Sequence, residues 1–285
     1  MSKLLSANFM RLRKNKVFWG GILFMAAAGI YYPIGRYIGM KHDGYTAHLE
    51  DGFFICAVFA AVLLSVFCSL FVGTEYSDGT IRNKIIIGHK RTDLYLSNLL
   101  TNMATGAVMC MVWFAAYLCA GIPLLGFFQV RGAVILLLTI AVLLLSCAFS
   151  ALFTMVSMLN ASKAGAAVIC MLVAFLLLFT GTYLNARLQE PETYPVYDYV
   201  VVGEDAADMA AGMQEVAAEE KNPHYVGGTK RKVYEFLYDF MPGGQAVQCS
   251  SMESERPHVL CLYSGIIFII ATSIGMAVFR RKDIK

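Results

Sequence analysis

Six stretches of this sequence contain no Asp, Glu, Lys or Arg, and each is close to 20 residues or longer. They are residues 17–35, 52–74, 94–130, 132–162, 164–186 and 259–279. A bilayer core about 30 Å thick needs about 20 helical residues to cross it. Inside lipid a helix satisfies its backbone groups within its own segment, and the alternating pattern of transmembrane β-strands is absent here. The sequence therefore predicts an all-α membrane protein with six transmembrane helices.

The composition excludes several other classes of protein. Hydrophobic residues make up 58% of the 285 residues and charged residues only 15%, whereas soluble domains carry about 25% charged residues. A soluble enzyme, a disordered chain and a coiled coil are therefore excluded. We predict spans at about residues 17–38, 53–73, 95–119, 133–156, 164–185 and 259–279. An N-terminal segment (1–16), an extracellular segment (185–258) and a tail (280–285) complete the chain.

The distribution of basic residues predicts the orientation of the spans. With the N-terminus inside, the inner segments hold fourteen Lys and Arg, and the two short outer loops hold three. Basic residues in short loops favour the cytoplasmic side. We therefore expect both termini in the cytoplasm. The small net positive charge is then no sign of nucleic-acid binding.

Residues 2–16 are predicted to form a separate amphipathic helix. Leu5, Phe9 and Leu12 repeat at helical spacing, with basic residues around them. This pattern is typical of a helix that lies on the inner leaflet near anionic headgroups. The alternative is a basic tail that only fixes the topology.

The predicted span cores lack the groups that membrane chemistry requires. They contain no Asp, Glu, Lys, Arg or His apart from Arg36, which lies near the outer end of the first span and can reach the interface. A charged ion relay and an intramembrane protease site are therefore both absent. No GxxxxGK[ST] phosphate loop occurs. We assign no catalytic residue and no metal ligand, because the spacing of Cys and His fits no metal motif. A disulfide between Cys249 and Cys261 is left open.

The inner loop at residues 73–94 is the segment with the most informative pattern. Ile81, Ile85 and Ile86 lie on one side of a short helix, and Arg82, Asn83 and Lys84 lie on another. Such a helix rests on the membrane while it offers a charged surface to a cytoplasmic partner.

This loop resembles the coupling loop of type-2 ABC exporter permeases. The resemblance depends on a Glu, a Gly-Thr pair, a short amphipathic helix, and then a small and a basic residue before the next span. The matching residues are Glu75, Gly79, Thr80, Gly88, Lys90 and Arg91. Gly88-His89-Lys90-Arg91 stands where the family often has Pro-x-Ser/Thr-Arg. As a motif the resemblance covers about 20 residues, and as an architecture it covers the whole chain.

The resemblance implies a permease subunit that takes its energy from a partner. Two six-span halves, identical or different, would face each other in a bacterial cell membrane. Two cytoplasmic ABC ATPase subunits would bind ATP and Mg, and this chain would bind no cofactor and no nucleic acid. The residues implied in coupling to the ATPase are Glu75, Gly79, Thr80, Arg82, Asn83, Lys84, Lys90 and Arg91.

The outer segment at residues 185–258 is long and acidic, with a net charge of −7. Residues 194–202 are predicted to be extended, and residues 204–221, rich in Ala, are predicted to form an exposed helix. A second helix begins near Val233, and its apolar residues repeat at helical spacing as far as Met241. Pro242-Gly243-Gly244 is expected to stop that helix.

In the family this position holds short re-entrant helices, so the resemblance implies a re-entrant or interfacial helix at residues 233–248. Its outer-gate residues would be Phe236, Leu237, Phe240, Met241 and Pro242. The alternative is a helix packed in the core of a small extracellular domain.

The acidic outer surface favours cationic ligands. A cationic or amphipathic peptide is one candidate substrate, which would fit antimicrobial peptide resistance, and a lipid or drug-like molecule is another. A different class of function stays open. In it the chain is a non-transporting membrane sensor or scaffold whose acidic outer domain binds a ligand.

Overall fold

The structure, a computed structural model, describes residues 1–44, 46–201, 213–252, 254 and 256–283, with the backbone alone at residues 195–201 and 213–219. The first seven helices are α1 Ser2–Arg13, α2 Lys16–Asp43, α3 Cys56–Ser77, α4 Thr80–Ile86, α5 Arg91–Leu125, α6 Gly132–Leu159 and α7 Lys163–Gln189. Two strands come next, β1 Thr193–Val201 and β2 Met213–Lys221, and then three helices, α8 Gly228–Phe240, α9 Pro242–Ser251 and α10 Pro257–Arg281.

Six of these helices are long and apolar enough to cross a membrane, namely α2, α3, α5, α6, α7 and α10. The prediction of an all-α membrane protein with six spans is thus confirmed. Each of these helices coincides with a long charge-free stretch of the sequence. A helix can cross lipid because it satisfies its backbone hydrogen-bonding groups within its own segment.

Helix α3 lies at the centre of the bundle and packs against α5, α6 and α7. Thirteen of its 22 residues are buried, from Cys56 to Glu75. Just before it, Phe53 packs in a cluster of aromatic rings with Phe114 and Tyr117 of α5. The Trp113 indole N–H donates to the Phe53 carbonyl at 2.8 Å, which satisfies a buried backbone group ahead of α3.

The bundle has two different ends. One end, here called the basic end, brings together α1, the 78–90 loop with α4, the start of α5 and the chain after α10. The opposite end, here called the loop end, carries the 46–55 segment, the 126–131 loop, both strands, α8 and α9. Each spanning helix carries the chain from one end of the bundle to the other, so successive connections lie alternately at the two ends.

Strands β1 and β2 pair antiparallel, from Thr193 with Lys221 to Val201 with Met213. The extended stretch predicted near β1 is a strand, but the helix predicted at residues 204–221 is wrong where it overlaps β2. Helix propensity is a weak preference, and strand pairing in the fold overrides it. Residues 204–212 of that predicted helix lie outside the described residues, as does residue 202.

The predicted helix at 233–248 is instead two helices, α8 and α9, with a break at Met241. Met241 is extended (φ −73°, ψ 135°), because the ring of Pro242 disfavours helical geometry in the residue before it. Pro242 then opens α9, where its missing N–H costs nothing. The Gly pair therefore lies inside a helix rather than ending helical structure. All eight cysteines are free, so Cys249 and Cys261 are not bridged.

Candidate functional site

Glu75, near the end of α3, is the centre of an ion cluster at the basic end. Its carboxylate is fully buried. One of its oxygens forms ion pairs with the Arg11 guanidinium of α1, at 2.5 Å, and with the Lys84 ammonium of α4. The second oxygen accepts a hydrogen bond from the Asn98 amide of α5 at 3.0 Å. A buried carboxylate is stable only when its charge and its lone pairs are both satisfied. Here three helices supply those partners, so α1, α4 and α5 are fixed to α3 through one side chain.

Arg11 is held by more than its ion pair. Its guanidinium lies 3.7 Å from the centre of the Phe71 ring and donates to the Phe71 carbonyl at 3.2 Å. Burial lowers the pKa of Arg11, and the Glu75 carboxylate opposes that shift. The side chain is therefore a fixed part of the basic end and not a mobile surface charge.

Helix α1 docks on α5 through a stripe that differs from the one chosen from the sequence. The buried residues are Leu4, Asn8 and Leu12, whereas Phe9 is exposed. The Asn8 amide donates to Ser97 and Asn98, each at 3.4 Å. The sequence pattern does not identify Asn8 as a docking residue, because its partners are about 90 residues away in the chain. Its position between Leu4 and Leu12 on one helix face is the only local indication that it is buried.

Helix α4 is attached on one side and exposed on the other. Gly79 takes a left-handed turn (φ +65°) ahead of the helix, and the Thr80 hydroxyl donates to the Glu75 carbonyl at 3.0 Å. Ile81 is buried in the apolar cluster at the basic end. Ile86 and Ile87 are 74% and 77% exposed. Together with the exposed Arg82 and Asn83, they form a surface that we call the α4 outer face.

A second set of contacts closes the basic end around the tail. The Arg91 guanidinium donates to three carbonyls at the end of α10, those of Phe279, Arg280 and Lys282. A cation at this position complements the negative end of the helix dipole. The Lys282 ammonium donates to the Met158 carbonyl at 3.0 Å, and burial lowers its pKa.

The structure separates the eight predicted coupling residues by their contacts. Glu75, Thr80 and Lys84 face inward and hold α4 in place. Arg91 ties α5 to the end of α10, and Gly79 forms the turn. Arg82, Asn83 and Lys90 are exposed. Ile87 was missed, and Ile86 was assigned to the same face as the buried Ile81, although the two side chains differ strongly in exposure.

The predicted outer-gate residues lie on α8 and at the break before α9. Phe236 and Phe240 stack at 5.6 Å, and the Tyr263 ring of α10 meets both edge-on. Phe236 and Leu237 are exposed, Phe240 and Met241 are half-buried, and Pro242 is buried. The apolar residues in the middle of α8 are therefore exposed, whereas most residues of α9 are buried in the bundle.

Two glutamines fix the angle between α8 and α9, and sequence reasoning missed both. The Gln245 amide donates to the carbonyls of Asp239 and Phe240 at 3.0 and 3.1 Å, and it accepts from Ser264 of α10. The Gln248 amide donates to the Tyr238 carbonyl and the Asp239 carboxylate. Burial raises the pKa of Asp239, and the Gln248 hydrogen bond opposes that rise. These amides satisfy the end of α8 as a cap does.

Helices α7 and α9 cross at glycines. A Cβ on Gly243 would lie 1.8 Å from the Leu177 carbonyl oxygen, and a Cβ on Gly181 would lie 2.5 Å from the Gly243 backbone. The two backbones are therefore in direct contact, which only glycine permits. This contact holds α9 inside the bundle at the loop end.

A ladder of neutral polar groups begins at Asn102, one helical turn along α5 from Asn98 of the ion cluster. The Asn102 amide of α5 donates to the Thr154 hydroxyl of α6 at 2.7 Å, and the Ser150 hydroxyl donates to the Asn102 carbonyl. All three side chains are buried. A search for ionisable residues in the spans passes over this ladder, because its members are amides and hydroxyls.

Six apolar helices long enough to cross a membrane define the class, a multi-pass helical membrane protein. A family model described as "ABC-2 family transporter protein" matches residues 4–181. The chain therefore belongs to the ABC-2 transporter family. The matched region begins within α1, includes Glu75 and α4, and ends within α7. A search of the curated proteins found no match.

Proposed function

We propose that the chain is the permease subunit of an ATP-driven ABC exporter. The observation that carries the proposal is the α4 outer face, an exposed surface on a helix whose other side is tied to α3 by Glu75 and Lys84. In this proposal two cytoplasmic ATPase subunits bind ATP and Mg, and one of them docks against the α4 outer face. The basic end, with both termini, then lies in the cytoplasm of a bacterial cell.

Rigid attachment is what makes α4 suitable as a lever. A force applied to its outer face reaches α3 through Lys84 and Glu75, and reaches α1 and α5 through the other two partners of that carboxylate. ATP binding has to favour one arrangement of the spans over another, and this requires a contact that differs between the two states. Because Lys84 and Thr80 fix α4 to Glu75, we expect α4 to move together with α3.

The second half of the pathway is another six-span permease, identical or different. The α8–α9 pair would form the outer gate, with Phe236, Leu237 and Phe240 at the edge of the pathway and α9 as its buried support. The substrate would be a cationic or amphipathic peptide, or a lipid or drug-like molecule. The acidic outer segment favours the cationic class.

The docking surface is tested by co-expression and co-purification with a candidate ABC ATPase, sought among the genes that neighbour the one for this chain. Ile87→Glu places a charge on the α4 outer face, and we expect it to reduce recovery of the ATPase and ATP-dependent export by about tenfold or more. Phe127→Glu is the matched control, because Phe127 is equally exposed at 77% but lies at the loop end. It should leave ATPase recovery unchanged.

Equal recovery of the ATPase with wild type and Ile87→Glu would overturn the docking site. Stable ATPase binding without any ATP-dependent export would instead favour a sensor or scaffold.

A further inference from the structure

A cavity of about 520 Å³ lies at the loop end, at the opposite end of the bundle from the coupling residues. It opens between the outer part of α2, the 48–52 segment, the start of α6 and the end of α9. Its lining includes Tyr32, Arg36, Glu50, Val134 and Met252. The cavity thus combines an aromatic ring and apolar side chains with charged groups, which is the composition of a small-molecule site.

The charges of this cavity do not balance. Arg36 pairs with Asp51 at 3.2 Å, and Asp51 also accepts from the His48 backbone N–H at 2.9 Å. Glu50 is only 7% exposed, and the Gln129 backbone N–H reaches one of its oxygens at 3.3 Å. Among the described residues, no cation forms an ion pair with Glu50 and no donor reaches its other oxygen. A buried carboxylate in this state favours a ligand that brings a positive charge.

The chemistry narrows the ligand to one class. Mg²⁺ and Ca²⁺ require six or more oxygen ligands, and within the part of the chain that the structure describes no group of three His, Cys, Asp or Glu side chains is placed to hold a metal ion. An anion would meet Glu50 and an Arg36 that Asp51 already neutralises. A protonated amine on an apolar body matches all parts of the lining, since the Tyr32 ring and a carboxylate both attract organic ammonium groups.

We propose that this cavity, here called the Glu50 pocket, binds an organic ammonium group attached to an apolar or aromatic body. The ammonium donates to the open oxygen of Glu50, and the body lies against Tyr32, Val134 and Met252. The inference goes beyond the proposed function, because binding in the Glu50 pocket requires neither ATP nor a partner subunit.

The test uses the purified full chain in lipid nanodiscs, without an ATPase, and two probes of nearly the same shape. Benzylammonium chloride carries the charge, and benzyl alcohol is the neutral probe. Calorimetric titration should show saturable binding of benzylammonium that weakens by about tenfold or more in Glu50→Gln. The weak partition of benzyl alcohol should be the same in both proteins.

Glu50→Gln is nearly isosteric and keeps the acceptor for Gln129, so its melting temperature should not fall below that of wild type. Glu235→Gln is the matched control, because Glu235 is an exposed carboxylate on α8 that does not line the pocket. It should leave benzylammonium binding unchanged. Equal binding by Glu50→Gln and wild type, or no saturable binding by either, would overturn the proposal. Either result leaves ATP-driven export standing, since the assay contains no ATPase.

Discussion

Glu75 shows how one side chain determines what the basic end can do. It lies two residues from the end of α3, yet it is fully buried because α1, α4 and α5 close over it. Arg11 and Lys84 bring two positive charges to one carboxylate, and Asn98 satisfies its second oxygen. A change at Glu75 therefore affects the contacts of α1, α4 and α5 at the same time.

We predict that Glu75→Gln destabilises the protein by about 2–4 kcal/mol, because two cations then lose their buried counterion. Unfolding in SDS measures the change. Lys84→Gln should cost less, about 1 kcal/mol, because Arg11 still neutralises Glu75. Adding Arg11→Gln to Glu75→Gln should restore part of the loss. A Glu75→Gln protein as stable as wild type would show that the cluster contributes no net stability.

The motif located Glu75 from the sequence, but its role could not be obtained from the motif alone. The spacing of Glu75 and Gly79-Thr80 is local information, whereas Arg11 and Asn98 are 64 and 23 positions away. Which charges meet in a cluster depends on how helices pack, and helical periodicity does not encode that choice. For the same reason the docking face of α1 was assigned to Phe9 rather than Asn8.

At the scale of elements, the α8–α9 pair differs most from what its sequence pattern indicates. A proline followed by two glycines is usually a stop signal, and here it begins a second helix. The reason is tertiary, because Gly243 allows α9 to touch α7 and the two glutamines fix its angle to α8. Local breaker signals thus located the break but did not predict the second helix beyond it.

We predict that Gly243→Ala displaces α9 and costs about 1–3 kcal/mol, because the new methyl group meets the Leu177 carbonyl. Thermal unfolding of the purified protein measures this cost. Gly265→Ala in α10 is the matched control, since nothing lies within 4 Å of a Cβ there, and it should be neutral or slightly stabilising. If both variants melted at the wild-type temperature, the close contact of α7 and α9 would not stabilise the protein.

In the whole molecule, the two ends of the bundle have different structures, and we propose a different role for each. The basic end carries a rigid ion cluster under the α4 outer face, and the loop end carries the α8–α9 pair and the Glu50 pocket. The six spans could be predicted because membrane crossing is a property of one segment at a time. The side chains that meet at each end could not be predicted, because they depend on contacts between segments that are far apart in the chain.

We propose that the α4 outer face contacts the ATPase, and site-specific photocrosslinking can detect that contact in membranes. A photoreactive p-benzoylphenylalanine replaces Asn83 in one protein and Phe127 in another, and both are irradiated in membranes that contain the ATPase. Both positions are exposed, but they lie at opposite ends of the bundle. We predict an ATPase crosslink from position 83 and none from position 127. A crosslink from position 127 alone, or from neither position while ATP-dependent export continues, would contradict the account.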